Sequence, residues 1–127
     1  MTNRPLSPHL QIYRWRMNMF VSIMHRATGM GLAFVGAPLF LVWIAALGAG
    51  PVYYGKLIDL LTTPLGLLVL FGLTFSLFQH LCTGVRHFYM DIGEGYDPEF
   101  SRKGSGATLI VSTLLTLLLW AYALKVI

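Results

Sequence analysis

One histidine stands where the chain offers little else that is polar. His80 lies in a run of 26 residues without a charge, six positions before Arg86. An imidazole at such a place can ligate a metal, pass a proton or bond a carbonyl on a neighbouring helix. In steps of four, Gly72, Ser76, His80 and Gly84 share one helix face, so the ring stands in a groove with low walls. A flat macrocycle can lie in such a groove with the imidazole reaching its metal. Small residues four apart are also the ordinary contact between membrane helices, which explains the glycines without the histidine, and both readings remain open on these residues.

A second cluster is Ser22, His25 and Arg26. Ser22 and Arg26 are four apart and adjacent on a helix, with His25 on the flank. A hydroxyl, an imidazole and a permanent cation can bond the carbonyl oxygen of a quinone and hold the charge that develops as it is reduced. The same groups can bind haem propionates or lipid phosphate, and an arginine reaching outwards from a helix end is ordinary. Were His80 to ligate haem iron, a second axial ligand at its depth is needed for an electron-transferring cytochrome. His25 and His87 fall near the membrane surface and His9 in the N-terminal arm, so that ligand is expected from another chain. Cys82 has no partner for a disulfide and no CxxC spacing for a zinc or iron–sulfur site, and is read as a small packing residue.

The elements that must position these residues follow from composition. Of 127 residues, 56% are hydrophobic and 11% charged, with a mean hydropathy of +0.67. A soluble domain carries about a quarter charged residues. No charge falls between Arg26 and Lys56, Asp59 and Arg86, or Lys103 and Lys125, gaps of 29, 26 and 21 residues. A bilayer core about 30 Å thick needs roughly 20 apolar residues at helical rise. The fold class is therefore an all-α membrane protein with three transmembrane helices, expected over about 18–48, 64–90 and 106–125. Residues 1–17 form an N-terminal interfacial arm, and 1–127 make a single membrane-anchor domain. Pro38 is expected to kink the first helix, Val52 to Thr63 to form an outer loop, and Thr108, Ser112 and Thr116 to make a hydroxyl stripe facing neighbouring helices. Arg86 marks the inner interface, which puts His80 about 9 Å deeper, where a polar side chain is functional by default.

Charge asymmetry gives orientation. Arg4, Arg14, Arg16, Arg26, Arg86, Arg102 and Lys103 lie on one side against Lys56 and Lys125 on the other, seven against two, so the N-terminus is expected in the cytoplasm and the C-terminus in the periplasm. This use of basic residues displaces the nucleic-acid reading that a pI near 9.5 would invite. Membrane lipid is the expected surrounding. The first 26 residues fit neither a secretory signal nor a transit peptide, which favours a bacterial inner membrane over a mitochondrial one.

RPLSPHLQIY (Arg4 to Tyr13), SIMHRATG (Ser22 to Gly29) and HLCTGVRHFYMD (His80 to Asp91) together resemble the cytochrome b556 membrane-anchor subunit of succinate dehydrogenase (succinate:quinone oxidoreductase, respiratory complex II). The likeness runs in order from residue 4 to about 91. It implies a complex in which a flavoprotein holding FAD oxidises succinate, an iron–sulfur subunit carries electrons to the membrane, and two small anchors hold haem b between them and reduce ubiquinone, with the succinate-oxidising site in a partner chain. Carried over by motif, His80 is the axial haem ligand, Ser22 and Arg26 bind quinone, and His25, Arg86, His87 and Gly84 surround the haem and its propionates. The second axial ligand comes from the other anchor. A fumarate reductase anchor and a haem-free structural anchor are the alternatives.

Overall fold

The computed structural model describes residues 13–125; most of the interfacial arm, with Arg4 and His9, lies outside them. Tyr13 to Arg16 are non-helical and exposed. The helices are α1 (Met17–Gly31), α2 (Ala37–Ala49), α3 (Pro51–Leu61), α4 (Pro64–Asp91) and α5 (Pro98–Ala123), with a π turn, Leu32–Gly36, joining α1 to α2. Met17–Ala49 is thus one continuous span of 33 residues, followed by spans of 28 and 26 residues in α4 and α5. All three are long enough to cross a bilayer.

The disturbance expected at Pro38 takes the form of that π turn. Proline has no N–H and its ring crowds the carbonyl four residues back. Widening the preceding turn relieves the crowding, and the amide of Ala37 bonds the carbonyl of Leu32, five residues away.

Two boundaries differ from the sequence reading. Val52 to Thr63 is not a loop but largely α3, which begins with Pro51 at its first position after Gly50 turns the chain at φ +100°. Tyr54, Leu57, Ile58 and Leu61 follow helical spacing and form its covered side. The third long helix begins at Pro98, not near Gly106. Asp97 caps it by accepting from the amides of Glu99 and Phe100 at 3.1 and 2.8 Å, and Lys103 pairs with Glu99 one turn away at 2.9 Å. Absence of charge locates the part of a helix inside the hydrocarbon, but a helix continues into the headgroup layer while its hydrogen bonds hold. Gly93 and Gly95, both at positive φ, turn the chain between α4 and α5.

α4 packs along both α1 and α5, and α1 also touches α5; α2 packs on α3. The interior of this bundle is polar. Among the described residues the buried side chains include Thr28, Gln79, Thr83, Ser101, Ser105, Thr108, Ser112 and Thr116, while Phe34, Leu41, Leu65, Leu68, Leu81, Leu118 and many other apolar side chains face outwards. Lipid is as apolar as leucine, so helices associate here through small side chains and hydrogen bonds. The expected hydroxyl stripe faces α1 and α4 and extends two steps further, to Ser105 and Ser101.

Candidate functional site

α4 turns His80 and His87 towards α1, where they meet His25. The His25 and His80 rings stack with centroids 4.0 Å apart and planes within 8°, and His87 lies 5.0 Å from His25, tilted by 58°. His25 therefore lies at the level of His80, contrary to the depth reading that left His80 alone. That reading took Arg26 as lying at the surface, yet α1 begins nine residues earlier and helices cross obliquely, so residue counts from two different ends do not give a common depth.

Hydrogen bonds fix both rings. Thr83, fully buried, donates its hydroxyl hydrogen to the Gln79 carbonyl at 2.7 Å and so faces the Nδ1 of His25, 2.6 Å away, with a lone pair. The His25 Nδ1 is then the donor. His80 Nδ1 lies 3.1 Å from the carbonyl oxygen of His25, which can only accept. Thr28 Oγ1, which donates to the Met24 carbonyl at 2.8 Å, stands 3.4 Å from the same nitrogen. Each imidazole thus has Nδ1 held by an oxygen, and among the described residues neither Nε2 has a hydrogen-bond partner, the arrangement by which a backbone or hydroxyl group orients a ligating histidine. Stacked rings cannot approach one metal from opposite sides, because that requires the two Nε2 atoms to face each other. Among the described residues no three His, Cys, Asp or Glu side chains converge to hold an ion.

The face named from the sequence is open. A Cβ added at Gly72 or Gly84 would meet nothing within 4 Å, whereas one at Gly29, on α1, would press on the His80 ring at 2.9 Å. Arg86 does not join the histidines. It points to α5, where its Nη2 donates to Ser101 Oγ at 2.8 Å. Asn18 of α1 donates to the same oxygen at 3.1 Å and accepts from Ser105 at 2.8 Å, so Ser101 ties all three spans together. Deeper in the bundle, Ser112 donates to Gln79 Oε1 at 2.5 Å. Cys82 is half-buried.

Ser22 and Arg26 are brought together as the spacing requires, Nη2 to Oγ at 3.4 Å. They open on a groove of about 430 Å³ lined also by Tyr13, Asn18, Met19 and Ile23. The exposed guanidinium of Arg26 and the hydroxyl of Ser22 can both meet an oxygen acceptor there, against apolar Met19 and Ile23. Sequence reasoning passed over Thr28, Gly29 and Thr83. Thr28 and Gly29 belong to the SIMHRATG segment and Thr83 to HLCTG, but only packing shows that they hold histidines.

Residues 1–122 match a family model described as succinate dehydrogenase/fumarate reductase transmembrane subunit. The chain is 37% identical to the succinate dehydrogenase cytochrome b556 subunit of Paracoccus denitrificans over 91% of its own length and 88% of that protein. It is 36% identical to the subunit of the same name from Rickettsia prowazekii, over 92% and 90%. The mitochondrial succinate dehydrogenase cytochrome b560 subunit of Sus scrofa is also 36% identical, over 91% of this chain and 68% of that one.

Proposed function

The chain belongs to the succinate dehydrogenase/fumarate reductase transmembrane subunit family, and from that premise we propose that it is the haem b-binding membrane anchor of a succinate:ubiquinone oxidoreductase, holding one axial ligand of the haem and part of the quinone site. The observation that carries the reading is the setting of His80: Nδ1 is held by the His25 carbonyl at 3.1 Å, Nε2 has no hydrogen-bond partner among the described residues, and a Cβ added at Gly84 or Gly72, on the same helix face, would meet nothing within 4 Å. These residues fit an iron ligand. When bound, haem b supplies a one-electron carrier between the iron–sulfur subunit and the quinone site.

His25, stacked on His80 and tied to Thr83, would support the ligating ring, and a second small anchor chain, as the family resemblance implies, would supply the other ligand. Ser22 and Arg26 hold the quinone carbonyl in their groove, with Arg26 countering the charge that grows on oxygen. His87 lies on the haem side of α4. Arg86 serves the site at one remove, by locking α4 to α5 through Ser101. The flavoprotein, with FAD and the succinate site, and the iron–sulfur subunit dock on the inner side of a bacterial cell membrane, where the basic residues keep the N-terminus cytoplasmic and the C-terminus periplasmic.

The test is purification of the tagged chain from its own membrane in mild detergent, with identification of the co-purifying subunits and a reduced-minus-oxidised spectrum. Three partner subunits and a low-spin b-type spectrum are expected. A complex lacking haem would leave a structural anchor only.

A further inference from the structure

Beyond the assignment of His80 itself, we propose that Thr28 and Gly29 of α1 form a socket that sets the rotational angle of the His80 ring, so that the orientation of the axial imidazole is written in α1 although the ligand is carried by α4. The proposal rests on the haem-ligand reading above.

A histidine on a helix has its depth fixed by the backbone, but its plane is free to turn, because the torsion joining ring to Cβ is broad. Three contacts remove that freedom. The edge is held where Nδ1–H meets the His25 carbonyl at 3.1 Å with Thr28 Oγ1 at 3.4 Å. One face is covered by the His25 ring at 4.0 Å. Gly29 supplies the floor: a Cβ there would lie 2.9 Å from Cε1, 3.4 Å from Nδ1 and 3.9 Å from Nε2 of His80.

Those three nearest atoms all belong to the imidazole and none to the α4 backbone, so Gly29 is kept small for the ring and not for helix approach. Gly36, in the same span, gives the contrast. Its added Cβ would meet only leucine side chains at 3.5 Å or more, ordinary van der Waals contact. A methyl at position 29 must push the ring, and turning it loosens the Nδ1–H bond that fixes its tautomer. Thr28, buried and bonded to the Met24 carbonyl, keeps its lone pair towards Nδ1 and stops the ring from turning the other way.

The experiment compares assembled complexes carrying Gly29→Ala, Gly36→Ala, Thr28→Val, Thr28→Ser and His80→Leu, reading the largest g value of the low-spin haem and its midpoint potential. Gly29→Ala is expected to retain bis-histidine haem with a shifted g value and potential, and Thr28→Val to shift both less. Gly36→Ala and Thr28→Ser should match the wild type. Wild-type spectra in Gly29→Ala, or equal shifts in Gly29→Ala and Gly36→Ala, overturn the socket. Should Gly29→Ala fail to assemble, the threonine pair decides, and a wild-type spectrum in Thr28→Val overturns it. His80→Leu separates the premise: a surviving bis-histidine signal there defeats the ligand reading itself, whereas its loss beside unchanged Gly29 and Thr28 variants defeats only the socket.

Discussion

At the scale of residues, His80 and His87 are neighbours in sequence motif and on one side of α4, yet only His80 has its Nδ1 tied to the His25 carbonyl. On the proposed ligation, in which each anchor would hold one side of the same iron, replacing His80 with leucine should abolish the low-spin bis-histidine signal and weaken association of the two anchors. His87→Leu should keep the signal in a fully assembled complex; its loss there would show that His87 is the ligand. Ser22 and Arg26 face a separate groove. Arg26→Leu should lower quinone reduction by about a hundredfold, the usual cost of removing one group that stabilises a developing oxyanion, and Ser22→Ala by less. Succinate oxidation with an artificial acceptor should remain near normal in both, and normal quinone reduction in assembled complex would remove these residues from the site.

At the scale of elements, the three spans hold together through polar side chains. Ser112 with Gln79, and Ser101 with Arg86 and Asn18, join α5 to its neighbours. An interhelical hydrogen bond in a membrane protein contributes about 0.6 kcal/mol, so Ser112→Ala should cost the bundle roughly that much. Asn18→Leu removes two such bonds and leaves the buried hydroxyl of Ser105 without its acceptor, and it should cost about 2 kcal/mol. Unfolding of the detergent-solubilised complex by a graded denaturing detergent measures both. Equal stability of Asn18→Leu and wild type would mean that the seam does not hold the helices. The same seam gives Arg86 of α4 a role away from the histidines: its bond to Ser101 fixes the rotation of α4, and with it the direction in which His80 points.

At the scale of the whole molecule, the outward surface is largely apolar along the spans, with charges gathered at their ends and more of them near Arg86 to Lys103 than near Lys56 and Lys125. On the orientation proposed from the sequence's seven basic residues against two, a cysteine at the exposed Glu94, in a chain whose Cys82 has been replaced, should react with an impermeant thiol reagent only when the inner face is accessible. Labelling of intact cells would invert the topology. Ser101, on the same side, is 8% exposed and hydrogen-bonded, so the loop and not the start of α5 is the place to probe. The apolar sides of α2, α4 and α5 are exposed and suit a hydrocarbon surrounding.

The sequence by itself determined the number of candidate spans, because solvation in hydrocarbon is governed by composition: a long enough run without charge can cross, and a single segment that crosses satisfies its backbone as a helix. It also determined that Ser22 and Arg26 meet, because residues four apart on one helix are neighbours whatever surrounds them. It left α3 unseen although Tyr54, Leu57, Ile58 and Leu61 keep helical spacing, since a helix of only 11 residues that carries Lys56 and Asp59 and lies between Pro51 and Pro64 reads as the link between two spans. It also put the start of α5 eight residues late, since capping by Asp97 is a geometric event outside the apolar run. What only the tertiary structure decided were relations between helices: that His25 lies at the level of His80, that Thr83 and the His25 carbonyl hold the Nδ1 atoms of the two rings, that Gly29 lies against the His80 ring, and that Arg86 turns to Ser101. Side chains 52 to 58 residues apart come together only through the rotation and crossing of two helices. Lipid does not distinguish one rotation from another by hydrophobicity, so small residues and hydrogen bonds select it, and their partners cannot be read from periodicity along one chain.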